Sequence, residues 1–199
     1  MSLPCPAPLI LASTSRYRSE LLARLGVPFT AVAPAIDEEA LKDAARSPGE
    51  LAVYLAEAKA RSLSSAYPDA VILGSDQTCA CEGHQLHKPG SLEAAREQLA
   101  QLAGKTHELH TAVCIVTPGG EDWTTHLDTT RLTMRSLTVD EIERYLLADE
   151  PWDCVGSYKL ECRGITLFDA IESRDHTAIT GLPLLAVAQF LRTFGYIIP

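Results

Sequence analysis

The chain has 199 residues, 46% of them hydrophobic, which suits one large α/β domain or two closely joined lobes and argues against disorder. Its 26 acidic and 17 basic residues give a formal net charge of -9, which argues against a broad basic surface for DNA or RNA. No window reaches the roughly 18 consecutive apolar residues of a membrane span, and the N-terminus lacks a secretion signal. We therefore expect a soluble, cytoplasmic protein.

Cysteine and histidine spacing argues against zinc. Cys79 and Cys81 are separated by one residue, whereas zinc sites commonly use a two-residue spacer, so we predict free, buried thiols. Two histidine pairs have a spacing of three in predicted strands or turns, where the two rings do not share a face. The cysteines are at positions 5, 79, 81, 114, 154 and 162, and the histidine pairs are His84 with His87 and His107 with His110.

Strands and helices alternate in the first half of the chain. The pattern predicts a strand over residues 8–13, a helix that ends near Gly26, a strand over residues 27–34 and a long helix over residues 47–68. Ser47, Pro48 and Glu50 form a capping box with proline in the first turn at the start of the long helix.

Hairpins interrupt this alternation in the second half. The sequence predicts a buried strand over residues 69–78, a turn at Glu82-Gly83 and a helix between Ser91 and Gly104. It then predicts a hairpin around residues 118–120. A helix capped by Thr138 and Glu141 and a last helix over residues 183–195 complete the pattern. Helices that alternate with strands, together with at least two hairpins, indicate a mixed sheet. No linker divides the sequence, so two joined lobes are favoured over independent domains.

Polar residues gather where the first strand leads into a helix. The hydroxyls of Ser13, Thr14 and Ser15 adjoin the unpaired backbone N–H groups of the first helical turn, which favours an anion such as phosphate. Arg16 and Arg18 add positive charge that can grip phosphate oxygens. The alternative is that Ser15 is only an N-cap and that both arginines are solvated.

Carboxylates occur at two further strand ends. Asp76 ends the apolar strand "AVILGSD" and could hold Mg²⁺ or orient a water, or it could simply cap a turn. Asp37, Glu38 and Glu39 follow another predicted strand and could supply a second oxygen ligand, or form a solvated helix start.

Two lysines could complete a site for a highly charged ligand. Lys59 projects from the middle of the long helix and Lys88 lies in a loop, although either could be ordinary surface charge. A triphosphate carries about four negative charges and requires such scattered cations together with a divalent metal. The P-loop and dinucleotide-binding motifs are absent from the sequence.

Eight segments in register, over residues 9–195, resemble the Maf family of nucleoside triphosphate pyrophosphatases: "LILASTSRYRSELL", "IDEE", "EAKA", "VILGSDQT", "HKPGSLEAA", "GKTHELHTAV", "GSYKLECRG" and "GLPL". The resemblance implies a Maf/ITPase-like α/β fold with a mixed, elongated twisted sheet and flanking helices. It implies one domain over residues 1–199, with two lobes around a deep cleft. It also implies a hydrolase of phosphorus anhydrides that uses a divalent cation, Mg²⁺ or alternatively Mn²⁺ or Co²⁺. It leaves a homodimer open and implies no nucleic-acid or membrane partner.

The same resemblance assigns roles to individual residues. Asp76 would be catalytic, either as general base or as a metal ligand that positions water, and Glu38 would share the metal, with Asp37 and Glu39 as alternatives. The residues assigned to the substrate phosphates are Ser13, Ser15, Arg18, Lys59 and Lys88.

Three positions resemble the subgroup that hydrolyses 7-methyl-GTP: Tyr17, Gln77 and Glu161. A positively charged methylated guanine could stack on Tyr17, and Glu161 could neutralise it or meet the guanine edge. Two alternatives stay open: a pyrophosphatase for dTTP or UTP, and a nucleotide-binding regulator of septum formation without turnover.

Overall fold

The computed structural model describes residues 6–41 and 46–198, so Cys5 lies outside the described residues. The chain folds into two compact units. The first unit comprises Met1–Gln77, Thr111–Asp128 and Asp175–Pro199, and the second comprises Thr78–His110 and Thr129–Arg174. The single domain predicted from the family resemblance stays a prediction.

Strands and helices alternate over most of the described part of the chain. In chain order they are β1 (Leu9–Ala12), α1 (Arg16–Ala23), β2 (Thr30–Val32), α2 (Glu38–Leu41), α3 (Pro48–Arg61), β3 (Val71–Cys81), β4 (His84–Leu86), α4 (Leu92–Leu102), β5 (Thr106–Val116), β6 (Trp123–Met134), α5 (Val139–Asp149), β7 (Phe168–Glu172), α6 (His176–Ile179) and α7 (Leu184–Thr193). A 3-10 helix over Arg163–Leu167 precedes β7.

The strands form one mixed sheet with the order β2-β1-β3-β5-β6-β7, and β4 pairs with β3 beside this path. β1 is parallel to both β2 and β3, whereas β4 and β7 are antiparallel to their neighbours. The hairpin between β3 and β4 turns at Glu82 and Gly83, both of which have positive φ. The predicted mixed α/β fold is confirmed.

Both predicted capping boxes are present. Ser47 accepts a hydrogen bond from the backbone N–H of Glu50, and the Glu50 carboxylate accepts one from the Ser47 N–H, at the start of α3. Thr138 and Glu141 make the same reciprocal pair at the start of α5. These bonds satisfy backbone donors that a helix leaves without partners in its first turn.

The core of the first unit lies on both faces of the sheet. Leu9 and Leu11 of β1 pack in one apolar cluster with residues of α1 and α7, whereas Ile10 and Ala12 belong to a second cluster with α3. Alternate residues of a strand point to opposite faces, so this short apolar strand is covered on both sides. The C-terminal end of β1 is therefore held by packing on both faces of the sheet.

The core of the second unit is built around α4 and α5. Leu99 and Leu102 of α4 and Leu146 of α5 are fully buried, as is Leu132 of β6. Arg96 of α4 also pairs with Glu143 of α5. This packing supplies the support for the irregular segment between α5 and β7.

Several elements differ from the sequence-based expectations. α6, β7 and the 3-10 helix were not predicted, because α6 has only four residues and the residues of β7 are half-buried or exposed, without a clear apolar face. The five cysteines in the described part of the chain are free, as expected, but the prediction that all are buried is wrong: Cys154 is half-buried and Cys162 is exposed. Among the helices that the structure describes, none combines the length and apolarity needed to cross a bilayer.

Candidate active site

The turn between β1 and α1 is held by the two serines of the predicted phosphate motif. Ser13 is buried, and its Oγ accepts a hydrogen bond from the Ser15 N–H at 3.1 Å. Ser15 is the N-cap of α1, and its Oγ accepts from the Arg18 N–H at 3.4 Å. Ser15 is thus an N-cap, as the alternative interpretation held, and it caps a helix end whose partial positive charge favours an anion.

The two arginines of this segment have different surroundings. Arg16 is exposed and pairs with Glu20 one turn later, at 2.6 Å between Nε and Oε1. Arg18 donates from Nε to the carbonyl oxygen of Gly181 at 3.0 Å. Desolvation lowers the pKa of Arg18, while the nearby carboxylates of Asp76 and Glu38 act to raise it. The solvated interpretation therefore applies to Arg16 and not to Arg18.

A buried ion cluster joins α2, α3 and β3. The ammonium of Lys59 donates to Asp76 Oδ1 at 2.6 Å and lies 2.7 Å from Glu38 Oε2. The side chains of Lys59 and Asp76 are only 7% and 8% exposed, whereas that of Glu38 is 45% exposed. Two carboxylates from different elements thus converge on one cation, and we call these three residues the ion cluster.

Gly74 allows the approach that creates the ion cluster. A Cβ atom at this position would lie 2.3 Å from the carbonyl oxygen of Ala56 and 2.7 Å from the backbone nitrogen of Ala60. Both are backbone atoms of α3, so any larger residue would force α3 away from β3. Because Lys59 precedes Ala60 and Asp76 follows Gly74 by two residues, this close packing brings the two charges together.

Glu38, the middle one of the three acidic residues after β2, reaches Lys59. Asp37 is exposed and accepts a hydrogen bond through Oδ1 from the Ala40 N–H at 3.2 Å, inside the first turn of α2. Glu39 is exposed. The helix start predicted as an alternative is thus present, and it directs Glu38 into the ion cluster.

Tyr17 and Gln77 also belong to the first unit. Tyr17 is half-buried in the first turn of α1. Gln77 donates from Nε2 to Thr111 Oγ1 at 2.8 Å and to the carbonyl oxygens of Ala178 and Ile179 at 2.9 and 3.0 Å. Since an amide nitrogen carries only two hydrogens, these acceptors use its donor capacity fully. Gln77 therefore holds α6 to β3.

Lys88 and Glu161 lie in the second unit, where both are exposed. The segment that carries Glu161 is tied to α5 through Lys159. The Lys159 N–H donates to Tyr145 Oη at 2.8 Å, and its ammonium donates to the carbonyl oxygens of Asp149 and Glu150 at 3.0 and 3.1 Å. The sequence assigned no role to Lys159, which caps the C-terminal end of α5.

A family model described as Maf-like protein matches residues 8–194. The chain belongs to the Maf family. Three of its relatives bear the name 7-methyl-GTP pyrophosphatase. The protein of Xanthomonas axonopodis pv. citri is 49% identical over 96% of this chain and 98% of its own length. That of Bdellovibrio bacteriovorus is 49% identical over 92% and 95%, and that of Bordetella pertussis is 46% identical over 96% and 94%.

In this Maf chain the "GLPL" segment has a role that sequence reasoning missed. The carbonyl oxygen of Gly181 accepts from Arg18 Nε and also lies 3.0 Å from the Ser75 hydroxyl. Gly181 has φ of +109°, a conformation that favours glycine. The segment is one of those that resemble the family, but the hydrogen bond of a backbone carbonyl leaves no signature in a sequence.

A buried carboxylate of the Maf chain was also missed. Asp175 is 4% exposed and accepts from the N–H groups of Thr177 and Leu185 at 2.9 and 2.7 Å. It also accepts from the Thr177 hydroxyl at 2.6 Å. These bonds fix the turn from α6 to α7 and so the position of Gly181, a structural role that its neighbours "SRDHT" do not reveal.

The carboxylate pair of the ion cluster fits a hard divalent cation. Oxygen ligands are what Mg²⁺ prefers, and Mg²⁺ sites in nucleotide enzymes often use one or two carboxylates with waters and substrate phosphates. Within residues 6–41 and 46–198, His, Cys, Asp and Glu side chains form no group of three that could hold a metal. Glu38 and Asp76 are two oxygen-bearing side chains that could hold such a cation together with waters and substrate oxygens.

Proposed function

We propose that the protein hydrolyses 7-methyl-GTP to 7-methyl-GMP and pyrophosphate with a divalent cation. The observation that carries the proposal is the ion cluster: Asp76 and Glu38 meet at Lys59, close to Arg18 at the start of α1. Burying the Lys59 and Asp76 charges costs desolvation free energy, and a site for a charged ligand accounts for that cost. The names of relatives at 46–49% identity support the substrate.

The phosphate chain is assigned to the N-terminal end of α1. Backbone N–H groups of the first turn point away from a helix and suit phosphate oxygens, and the turn of Ser13 and Ser15 supports that end. Arg18, whose Nε is anchored on Gly181, keeps its remaining N–H groups for phosphate oxygens. Lys59 supplies a further positive charge where the charge of the leaving pyrophosphate develops.

Asp76 is assigned to the attacking water. Its Oδ1 accepts from Lys59, so Oδ2 is the atom that would accept a proton from the water or orient it. Glu38 and Asp76 would hold the divalent cation, which supplies neutralisation of phosphate charge and a lowered pKa of bound water. Before the cation and the nucleotide bind, Lys59 pairs with both carboxylates.

The base is assigned to Tyr17 and Glu161, the first by stacking and the second by its negative charge. Glu161 and Lys88 belong to the second unit, and the family motif alone supports their assignment to substrate. Gln77 differs from them, because its amide nitrogen is committed to Thr111 and to α6. We assign Gln77 to positioning α6.

A pyrophosphate-release assay with 7-methyl-GTP, GTP, dTTP and UTP, with and without Mg²⁺, tests the proposal. We expect Mg²⁺-dependent release that is fastest with 7-methyl-GTP. Faster turnover of dTTP or UTP would show that a pyrimidine nucleotide is the preferred substrate. Tight nucleotide binding without pyrophosphate release would favour the alternative function, a regulator of septum formation.

Replacing Glu161 tests the base assignment directly. Glu161→Gln should lower kcat/KM for 7-methyl-GTP about 3- to 10-fold relative to GTP, because the amide keeps the shape but loses the charge that favours a cationic base. Glu172→Gln, at an exposed position of β7, is the matched control and should leave the ratio unchanged. An unaltered ratio in Glu161→Gln removes this residue from specificity.

A further inference from the structure

Lys59 pairs with one oxygen of each carboxylate that is assigned to the divalent cation. Its ammonium lies 2.6 Å from Asp76 Oδ1 and 2.7 Å from Glu38 Oε2, distances of direct, charge-assisted hydrogen bonds. The Lys59 residue is 5% exposed, so water replaces little of this interaction. Lysine at this position is therefore an internal counterion for both acids and not a solvated surface charge.

The charges of these side chains oppose the binding of a divalent cation on its own. Glu38 and Asp76 carry two negative charges, and Lys59 and Arg18 carry two positive charges, so these four side chains are balanced on their own. A divalent cation that joins them without an anion adds two uncompensated positive charges beside Lys59 and Asp76, whose side chains are buried, and this is unfavourable. A triphosphate that arrives with the cation compensates this charge and gives Lys59 new oxygen acceptors.

We propose that Lys59 competes with the divalent cation for Glu38 and Asp76, so that the cation binds tightly only together with the triphosphate. Lys59 then moves its hydrogen bonds from the carboxylates to phosphate oxygens. The arrangement keeps the acids paired in the absence of nucleotide and couples metal binding to substrate binding. The inference rests on the proposed function for the identity of the ligand.

Mn²⁺ binding to the nucleotide-free protein, measured by electron paramagnetic resonance, tests the competition without any turnover. Lys59→Met keeps the length of the side chain and removes its charge, so it should bind Mn²⁺ about tenfold or more tightly than wild type. The matched control is Lys105→Met, which removes an exposed lysine paired with Glu82 at 2.7 Å and should leave Mn²⁺ binding unchanged. Lys59→Arg keeps the charge and should bind Mn²⁺ as weakly as wild type.

A second measurement uses wild-type protein, in case Lys59→Met does not fold. In spectra of ¹⁵N-labelled lysine ammonium groups, the buried hydrogen bonds of Lys59 should give a signal that exchanges slowly with water. Mg²⁺ with a non-hydrolysable 7-methyl-GTP analogue should shift that signal, and sub-millimolar Mg²⁺ alone should not. Equal or weaker Mn²⁺ binding in folded Lys59→Met, or an unshifted signal with the analogue bound, overturns the competition. Absent pyrophosphate release with the expected Mn²⁺ result would instead count against the proposed function alone.

Discussion

Two buried polar pairs, one in each unit, differ in charge. In the first unit, Lys59 and Asp76 are charged partners held 2.6 Å apart, with side chains at most 8% exposed. In the second unit, His107 is 1% exposed and shares a hydrogen bond of 2.8 Å with Tyr158. Burial lowers the pKa of His107 to about 4, so this pair is neutral at physiological pH.

The two pairs differ in the free energy that burial costs them, and only the charged pair lies in the candidate active site. A neutral pair loses little on burial provided that its members bond each other, whereas buried ions must recover a large desolvation free energy. The ring of His107 packs within 5.5 and 5.8 Å of the rings of Tyr158 and Phe168, which is the environment of a core residue. The ion cluster differs from this contact because Lys59 and Asp76 are a buried pair of opposite charges.

The strongest test of this comparison replaces the buried charge itself. Asp76→Asn should reduce kcat about 1,000-fold while the protein stays folded, because the amide keeps the size but cannot act as a base and loses the negative charge that attracts a cation. Pyrophosphate release and circular dichroism measure the two quantities. The matched control is Asp175→Asn, at a buried carboxylate that caps α6, which should cost stability far more than turnover. Near-normal kcat in Asp76→Asn would reduce Asp76 to a structural acid.

The close approach of α3 and β3 gives the next largest effect. Gly74→Ala should lower the free energy of unfolding by about 3 kcal/mol, because its Cβ would collide with the backbone of α3. Folded protein should also lose turnover, since Lys59 moves away from Asp76. Gly164→Ala in the second unit is the comparison, because its Cβ would lie 2.4 Å from the Lys159 carbonyl oxygen. It should cost stability while retaining kcat, and equal loss of kcat in both variants would contradict the role of Gly74.

The neutral pair of the second unit predicts a pH dependence. Unfolded chains protonate histidine near pH 6.5, whereas His107 in the folded protein stays neutral down to about pH 4. The contribution of His107 is thus fully present above pH 6.5 and is lost as the pH falls toward 4, by about 3 kcal/mol in all. Urea unfolding between pH 7 and 4 should show a shallower fall in His107→Gln than in wild type. His84→Gln, at an exposed histidine of the same unit, should retain the wild-type slope.

A partly exposed ion pair should contribute least. Arg163 pairs with Asp149 at 2.9 Å; the Arg163 side chain is 68% exposed, whereas the Asp149 side chain is 1% exposed. Arg163→Met should cost about 1 kcal/mol, because the Asp149 carboxylate keeps the hydrogen bond from the Arg163 N–H at 2.8 Å after the change. Thermal unfolding measures the loss. A loss as large as that of Gly74→Ala would show that this ion pair matters as much as the packing of α3 on β3.

Local rules account for the elements that the sequence predicted. Both capping boxes involve residues three apart, and Glu82-Gly83 forms a turn by its own conformational preference, so neighbours in the sequence suffice. By contrast, β7 and α6 are too short or too exposed to leave a periodic pattern. Their positions depend on partners elsewhere in the chain.

The sequence predicted which residues belong to the candidate site, but it did not predict the contacts between them. The family resemblance supplied Glu38, Lys59 and Asp76, yet the contact between Lys59 and Asp76 depends on how closely α3 packs on β3. Gly74 permits that distance, and nothing in "VILGSD" reveals what a Cβ there would meet. Likewise, the carbonyl oxygen of Gly181 became a partner of Arg18 only when the backbone was folded.

The hydrogen bonds of Gln77 couple it energetically to Thr111. Its amide and the Thr111 hydroxyl both bond the carbonyl oxygen of Ala178, and they bond each other, so the three groups form a closed triangle. A substitution of Gln77 alone breaks two of its sides and leaves Thr111 to hold the turn. Substitutions at Gln77 and Thr111 should therefore have non-additive effects on stability.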